Sequence, residues 1–280
     1  MPFFADRYGS VWTPSDCLYN CSVSTAIARI NTPEGFVIAS DGRKSRSDTN
    51  AVLSDSEQKI FGIEQPNRRL AYALSGAIQL THKDTDEILF DYLVEAEAAF
   101  QKLALERPKS LYHYTYRAAE EIAEAAERSV APVRDELDAS IEGSEAYIFI
   151  DGYYDTRPKR TTITFKNHVH GPLETTVITN ELYPGRFIGY GSPEVLRLLN
   201  TDDIRFARYH IDAERPEDVT LALAIQMGVN VILAHNDPEA HKIDPKTCAA
   251  IGGTIRVAMV TLSQGFQWVD PASTSAMSQM

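Results

Sequence analysis

The 280-residue chain lacks the segments that would place it in a membrane or mark it for export. No apolar run approaches the roughly 20 residues that a helix needs to cross a bilayer. The first residues, MPFFADRYGSVW, contain no basic stretch followed by an apolar one, so no secretory signal is predicted. We therefore expect a cytoplasmic protein with no membrane partner.

Positive charge is also scarce. The net charge is −12, and the acidic residues are spread along the whole chain rather than gathered in a tail. Such a surface repels phosphate backbones, and no stripe of Lys and Arg offsets the repulsion. The short basic tract Arg157-Pro158-Lys159-Arg160 is expected to be a solvated hairpin tip. We do not expect a nucleic-acid partner.

Cysteine is rare, with Cys17, Cys21 and Cys248 as the three examples. An odd number without a secretory signal indicates reduced thiols. Cys17 and Cys21 have the spacing of half a metal site, but no second pair matches them. The sequence therefore predicts no structural metal from its cysteines.

The histidines likewise predict no metal site. His168 and His170 would share one face of a strand, and His235 and His241 flank a second group of potential ligands. Neither group has a known zinc spacing, so we expect exposed histidines in strands and loops. No metal and no other cofactor is predicted.

The chain has no low-complexity linker and no internal repeat, which favours one domain over residues 23–270. Residues 1–22 contain breakers and are expected to be an extension resembling a propeptide, and residues 271–280 a disordered tail. Alternating or buried apolar patterns predict strands. These strands are 24–30, 36–41, 59–63, 69–74, 145–151, 160–166, 174–179, 186–190, 254–261 and 265–269.

Helical spacing of apolar residues predicts four helices. They are 85–104, a helix from about 111 capped by Ser110, 193–199 capped by Ser192, and 217–234. Two blocks of strands, each followed by a pair of helices, predict an α+β fold. The expected architecture is a four-layer α/β/β/α sandwich, in which two stacked, mainly antiparallel sheets carry helices on both outer faces. The same order also fits a generic α+β protein.

Several short segments, taken in order, carry a resemblance to a known family. They are Ser24-Thr25-Ala26, the strand that ends in Asp41-Gly42-Arg43, Lys59-Ile60, Ser75-Gly76, Gly189-Tyr190-Gly191-Ser192-Pro193 and Gly252-Gly253. In this order and spacing the chain resembles proteasome subunits and their bacterial ATP-dependent peptidase relative, within the N-terminal-nucleophile (Ntn) hydrolases. The similarity covers roughly residues 23–262.

The resemblance implies a threonine- or serine-type peptidase. Its nucleophile would be the hydroxyl of Ser24 or Thr25, made N-terminal by self-cleavage, with the new α-amine as base. Lys59 would lower the pKa of that amine, and Asp41 would hold Lys59. The backbone around Ser75 and Gly76 would stabilise the oxyanion. This mechanism requires the hydroxyl within hydrogen-bond reach of Lys59, with Asp41 on the other side of the amine.

The resemblance also implies partners, namely copies of the chain in a ring, unfolded polypeptide as substrate and possible association with an ATP-dependent unfoldase. Parts of the family pattern are missing. No Gly precedes Ser24 or Thr25, Tyr190 stands where the family has a Ser, and Cys248 and Ile251 replace an Asp…Ser pair. A non-catalytic ring subunit, similar to the proteasome α-type subunits, is therefore the alternative. A minor alternative is a Cys-type amide hydrolase that uses Cys21.

Overall fold

A computed structural model describes residues 25–45, 51–65, 67–85, 87–106, 108–180, 182, 184–185, 187–201, 203–211, 213 and 215–270. These residues form fourteen strands. The strands are β1 (Ile27–Asn31), β2 (Gly35–Ser40), β3 (Lys44–Ser45), β4 (Val52–Ser54), β5 (Ile60–Gln65), β6 (Arg68–Gly76), β7 (Gln79–Thr81), β8 (Ile88–Asp91), β9 (Glu145–Tyr154), β10 (Arg157–Lys166), β11 (Glu174–Thr179), β12 (Phe187–Tyr190), β13 (Arg256–Thr261) and β14 (Gly265–Val269).

The same residues include six α-helices and five short 3₁₀ segments. The α-helices are α1 (Tyr92–Lys102), α2 (Leu111–Val130), α3 (Pro193–Leu199), α4 (Leu221–His235), α5 (Pro238–Ile243) and α6 (Pro245–Ala249). The 3₁₀ segments are Leu103–Leu105, Ala131–Glu136, Ala139–Ile141, Ile204–Tyr209 and Pro216–Asp218.

Two five-stranded antiparallel sheets contain most of the strands. Sheet I has the order β12-β1-β2-β13-β14, and sheet II has the order β11-β10-β9-β6-β5. The remaining strands form two two-stranded sheets, β3-β4 and β7-β8. The first predicted hairpin is confirmed: β1 and β2 pair with Ile27 opposite Ser40 and Asn31 opposite Phe36.

The predicted four-layer α/β/β/α sandwich of two sheets is wrong, because the described strands form four antiparallel sheets. The two small sheets were missed because their strands are two to four residues long, too short to carry a periodic pattern. One of them also shortens a predicted helix. Residues 88–91 pair with β7, and α1 begins only at Tyr92, where the Asp91 side chain accepts N–H bonds from Leu93 and Val94.

Two other predicted helix starts are confirmed, whereas the helix predicted from 217 begins at Leu221 as α4. The Ser110 side chain accepts a hydrogen bond from the backbone of His113 and begins α2. The Ser192 side chain accepts one from Val195 and begins α3. These caps fit the rule that a hydroxyl before the first turn satisfies a backbone N–H that has no partner within the helix.

Three apolar clusters hold the large sheets and helices together. One combines sheet II with the buried faces of α1 and α2, including Tyr92, Phe100 and Tyr114. A second combines sheet I with α4. A third contains residues of both large sheets, among them Phe36 and Phe149. Thr25 and Lys59 lie at the ends of strands that contribute to this third cluster, so the candidate site borders a packed core.

Among the described residues, no helix is both long and apolar enough to cross a lipid bilayer.

Candidate active site

The β1–β2 hairpin brings Thr25 and Asp41 to the same end of sheet I. Beyond the last strand pair, the backbone N–H of Asp41 donates to the carbonyl of Ala26 at 3.1 Å. The N–H of Ala26 in turn donates to Asp41 Oδ1 at 2.9 Å. Both bonds fix the carboxylate beside the residue that follows Thr25.

Lys59 reaches the same point from the start of β5 in sheet II. Its Nζ donates to Thr25 Oγ1 at 3.0 Å, to Asp41 Oδ1 at 2.9 Å and to the backbone carbonyl of Arg43 at 2.6 Å. Thr25, Asp41 and Lys59 are 5%, 0% and 4% exposed. The structure thus brings these three predicted site residues together in one buried cluster, while their catalytic roles stay predictions.

The Asp41 carboxylate is held from several directions. Oδ1 accepts from Ala26 and Lys59, and Oδ2 accepts from the backbone N–H groups of Arg43 and Gly252, each at 3.1 Å. Gly252 comes from the loop before β13, so the Gly252-Gly253 segment noted in the sequence contributes directly to the site. This contact is not predictable from strand patterns.

Burial governs the charges of this pair. Burial lowers the pKa of Lys59, and the Asp41 carboxylate opposes that change. Burial also raises the pKa of Asp41, which the Lys59 ammonium opposes. A lysine with a lowered pKa is neutral more often at ordinary pH, and a neutral amine can accept a proton.

Ser75 and Gly76 end β6 next to Lys59. The Leu74 N–H donates to the carbonyl of Lys59 at 3.1 Å. Because alternate N–H groups point to the same strand edge, the Gly76 N–H points towards the Lys59 side of β6. Gly76 has φ +88°, and a Cβ there would lie 2.1 Å from the carbonyl oxygen of Glu145, so the position requires glycine. The Ser75 Oγ is buried without a hydrogen-bond partner among the described residues.

The other two nucleophile candidates, Ser24 and Cys21, lie outside the described residues, as does Cys17. Cys248 is buried in a cluster with α3 and α4, and burial raises the pKa of its thiol to about 12. Ile251 packs in the apolar cluster of sheet I. Both residues therefore serve packing where the family pattern has polar groups.

Tyr190 lies on the inner face of sheet I, opposite the residue that follows Thr25 by two positions. It pairs with Ile27, and its ring contacts those of Phe149 and Tyr147 with centroids 4.0 and 5.4 Å away. The following Gly191 approaches His235 so closely that a Cβ would lie 2.5 Å from its Nε2. This stretch of chain is thus fixed by aromatic packing and by α4.

His235 corrects the prediction that the histidines are exposed. It is fully buried in α4, where Nδ1 bonds the Val231 carbonyl and Nε2 accepts the Ser192 N–H at 3.1 Å. Burial lowers its pKa to about 4, so the ring is neutral. No group of three or more potential metal ligands occurs among the residues that the structure describes.

The predictions from sequence did not include a second buried ionic cluster, which joins the two large sheets. Arg29 in β1 donates from Nε to Asp151 Oδ2 at 2.7 Å, and Arg160 donates from Nε to Asp151 Oδ1 at 2.5 Å. Arg160 is 1% exposed. The basic tract is therefore not wholly a solvated tip: Arg157 and Pro158 are exposed, whereas Arg160 points inward. The available signal was Arg29 between the apolar residues Ala28 and Ile30 of a predicted strand.

Comparison of the whole fold with solved structures adds a relationship that the sequence does not provide. No protein-family model matches the sequence, and no curated protein matches it. A structure of Anbu (ancestral beta-subunit) from Yersinia bercovieri aligns with a TM-score of 0.51 and 11% identity. The alignment covers 91% of this chain and 92% of that one. An Anbu (Gly-1) mutant from Hyphomicrobium sp. strain MC1 has a TM-score of 0.49 and 12% identity, with 91% and 93% covered.

These neighbours are Anbu proteins. They form a proteasome-like but distinct family, so the assignment to proteasome subunits and the bacterial ATP-dependent peptidase is wrong. The error has a physical origin, because the matching segments are short turns and strand ends that related folds share. At 11% identity, the likeness to the Yersinia Anbu shows a proteasome-related fold of the Ntn type and leaves the activity open.

Proposed function

We propose that this chain is an Ntn amide hydrolase, a threonine-type peptidase whose nucleophile Thr25 becomes N-terminal when residues 1–24 are removed. One observation supports the proposal above all: Lys59 Nζ lies 3.0 Å from Thr25 Oγ1 and 2.9 Å from Asp41 Oδ1, with all three groups buried. A buried lysine is costly unless paired. Here Lys59 lies between the Asp41 carboxylate and the Thr25 hydroxyl. A base that activates a hydroxyl nucleophile needs this arrangement, with the base in contact with the hydroxyl and oriented by a third group.

The first step would cleave the chain itself. With Lys59 neutral, its amine takes the Thr25 hydroxyl proton while Oγ1 attacks the carbonyl carbon of residue 24. The C–N bond to Thr25 then breaks, and its nitrogen receives a proton and becomes the α-amine. Water hydrolyses the resulting ester and releases residues 1–24.

A peptide substrate would be hydrolysed through the same kind of acyl ester. The new α-amine of Thr25 takes the hydroxyl proton, and Oγ1 adds to the scissile carbonyl. The N–H of Gly76 donates to the oxyanion. The leaving amine takes the proton as the C–N bond breaks, and water then hydrolyses the acyl ester.

Intact mass after prolonged incubation tests the proposal. We expect the wild-type chain to lose residues 1–24, and the Thr25→Ala variant to stay uncut. Ser24→Ala is the matched control, which should still be cut after residue 24. A cut after residue 23, abolished by Ser24→Ala, would make Ser24 the nucleophile, and loss of residues 1–20 would indicate Cys21.

A wild-type chain that stays uncut and inactive on fluorogenic peptides would overturn the proposal. The non-catalytic subunit would then be the better description.

We also propose that the chain assembles with copies of itself in a ring, as the description of the Yersinia protein as a beta-subunit suggests. Light scattering coupled to size-exclusion chromatography tests this, since a monomer at all concentrations would contradict it.

Unfolded polypeptide is the proposed substrate, and any dependence on an ATP-dependent unfoldase would appear as stimulation of casein degradation by added candidate ATPases.

A further inference from the structure

We propose that Arg43 is a positioning residue, whose guanidinium fixes the loop 249–254 against Asp41 and whose backbone holds Asp41 and Lys59 in place. This role extends the proposed function. Only its expected effect on catalytic turnover depends on that function being correct. The contacts on which it stands are those of the described residues.

The Arg43 side chain joins two chain segments that are distant in sequence. Its Nε donates to Asp55 Oδ1 at 2.8 Å, and its Nη1 donates to the carbonyls of Ala249 at 3.1 Å and Ile251 at 3.4 Å. A Cβ on Gly252 would lie 2.7 Å from Arg43 Cζ, so the guanidinium lies directly against the Gly252 backbone. The side chain thus determines where the loop carrying Gly252 can lie.

The Arg43 backbone contacts both ionic members of the candidate site. Its N–H donates to Asp41 Oδ2 at 3.1 Å, and its carbonyl accepts from Lys59 Nζ at 2.6 Å. The Gly252 N–H, placed by the Arg43 side chain, donates to the same Oδ2. Movement of Arg43 would therefore disturb two of the groups that orient Asp41 and one that orients Lys59.

The charge of Arg43 also bears on Lys59. The charged groups that face Lys59 are Asp41 after β2, Glu57 before β5 and Arg43 before β3, and the Thr25 hydroxyl is its neutral partner. Asp41 and Glu57 raise the pKa of Lys59, whereas Arg43 lowers it and acts in the same direction as burial. Arg43 hence opposes two carboxylates that would keep Lys59 protonated.

Arg43 can be changed without opening the apolar core. Its side chain is 24% exposed and that of its partner Asp55 is 53% exposed. Arg43→Met removes both the positive charge and the guanidinium hydrogen bonds, whereas Arg43→Lys keeps the charge. Arg197→Met is the matched control, because Arg197 is an exposed arginine that pairs with Glu194 on α3.

The experiment measures the titration of Lys59 in a Thr25→Ala background, where no nucleophile exists at position 25. Side-chain ¹³C–¹⁵N lysine NMR follows the Lys59 signal, which is assigned by its loss in Lys59→Arg. In Arg43→Met we expect the pKa of Lys59 to rise by about 0.5 units or more. Arg43→Lys should restore most of the difference. An Arg43→Met titration that coincides with that of Arg197→Met would overturn the proposal.

A second readout separates this proposal from the proposed function. In chains that retain Thr25, Arg43→Met should move the pH dependence of cleavage after residue 24 to higher pH, with Arg197→Met unchanged. If the wild type stays uncut while the Lys59 titration shifts as expected, the peptidase proposal fails and the role of Arg43 stands. If cleavage occurs and neither readout moves, the role of Arg43 fails alone.

Discussion

Two aspartates are buried at the boundary between the large sheets, and their partners differ. Asp41 pairs with Lys59 and accepts three backbone N–H bonds, whereas Asp151 lies between Arg29 and Arg160. Burial tends to raise the pKa of Asp151, but the guanidiniums of Arg160 and Arg29 outweigh it and hold that pKa below its ordinary value. The pKa of Asp41 is raised instead.

The difference lies in whether the partner can lose its proton. Arginine stays protonated in proteins at ordinary pH, so the Asp151 cluster is suited to holding the sheets together rather than to transferring protons. Lysine loses its proton readily when buried. A buried ion pair of similar construction can therefore serve structure or proton transfer, depending on the choice of the cation.

The largest effect is expected from Asp151→Ala. It leaves two arginines buried without a carboxylate, and removal of one partner from a buried ionic cluster costs about 3–5 kcal/mol. Urea unfolding followed by tryptophan fluorescence measures the loss. Glu124→Ala, which removes the partner of the exposed Arg128 on the surface of α2, is the control and should leave the unfolding midpoint nearly unchanged. An Asp151→Ala midpoint equal to that of the control would refute the contrast between the clusters.

Lys59→Met should affect stability less and chemistry more. Asp41 keeps three backbone donors, and it can take up a proton because burial already favours its neutral form. We expect a stability loss of about 1–3 kcal/mol, below that of Asp151→Ala. Cleavage after residue 24 should slow by at least ~10²-fold, as when a proton acceptor is lost. Cleavage at the wild-type rate would show that Lys59 takes no part in it.

The pH dependence of stability should distinguish the lysine from the arginines. Because folding lowers the pKa of Lys59, the unfolded chain binds more protons between the folded pKa and the ordinary value of 10.5. The free energy of unfolding of the wild type, relative to Lys59→Met, should therefore rise with pH across that window. Paired urea titrations between pH 8 and 10.5 measure it. A difference that is flat or falls with pH would contradict the lowered pKa.

Ser75→Ala should have the smallest effect. The Ser75 Oγ is buried and has no partner among the described residues, so its removal leaves no group unpaired. We expect a change in stability below about 1 kcal/mol and an unchanged cleavage rate, because the proposed oxyanion donor is the backbone N–H of Gly76. A large loss of cleavage would assign the hydroxyl a direct role.

Sequence reasoning was successful where the position of a residue follows from local pattern. Asp41 and Lys59 were identified because each ends or begins a strand of recognisable pattern at the family spacing. Arg29 and Asp151 were missed because their contact spans 122 positions and depends on how the sheets stack, which local pattern does not encode. Strand β8 was absorbed into a predicted helix because Ile88, Leu89 and Tyr92 fit helical spacing equally well.

One hydrogen bond at the candidate site determines when the site can form during synthesis of the chain. Asp41 Oδ2 receives the N–H of Gly252, a residue 211 positions later, and β2 pairs with β13 further on still. During synthesis the hairpin that follows Thr25 is made long before Gly252, yet the Asp41 carboxylate has its full set of donors only once Gly252 is present. Any reaction that needs this arrangement would therefore have to wait until Gly252 has been made and has folded into place.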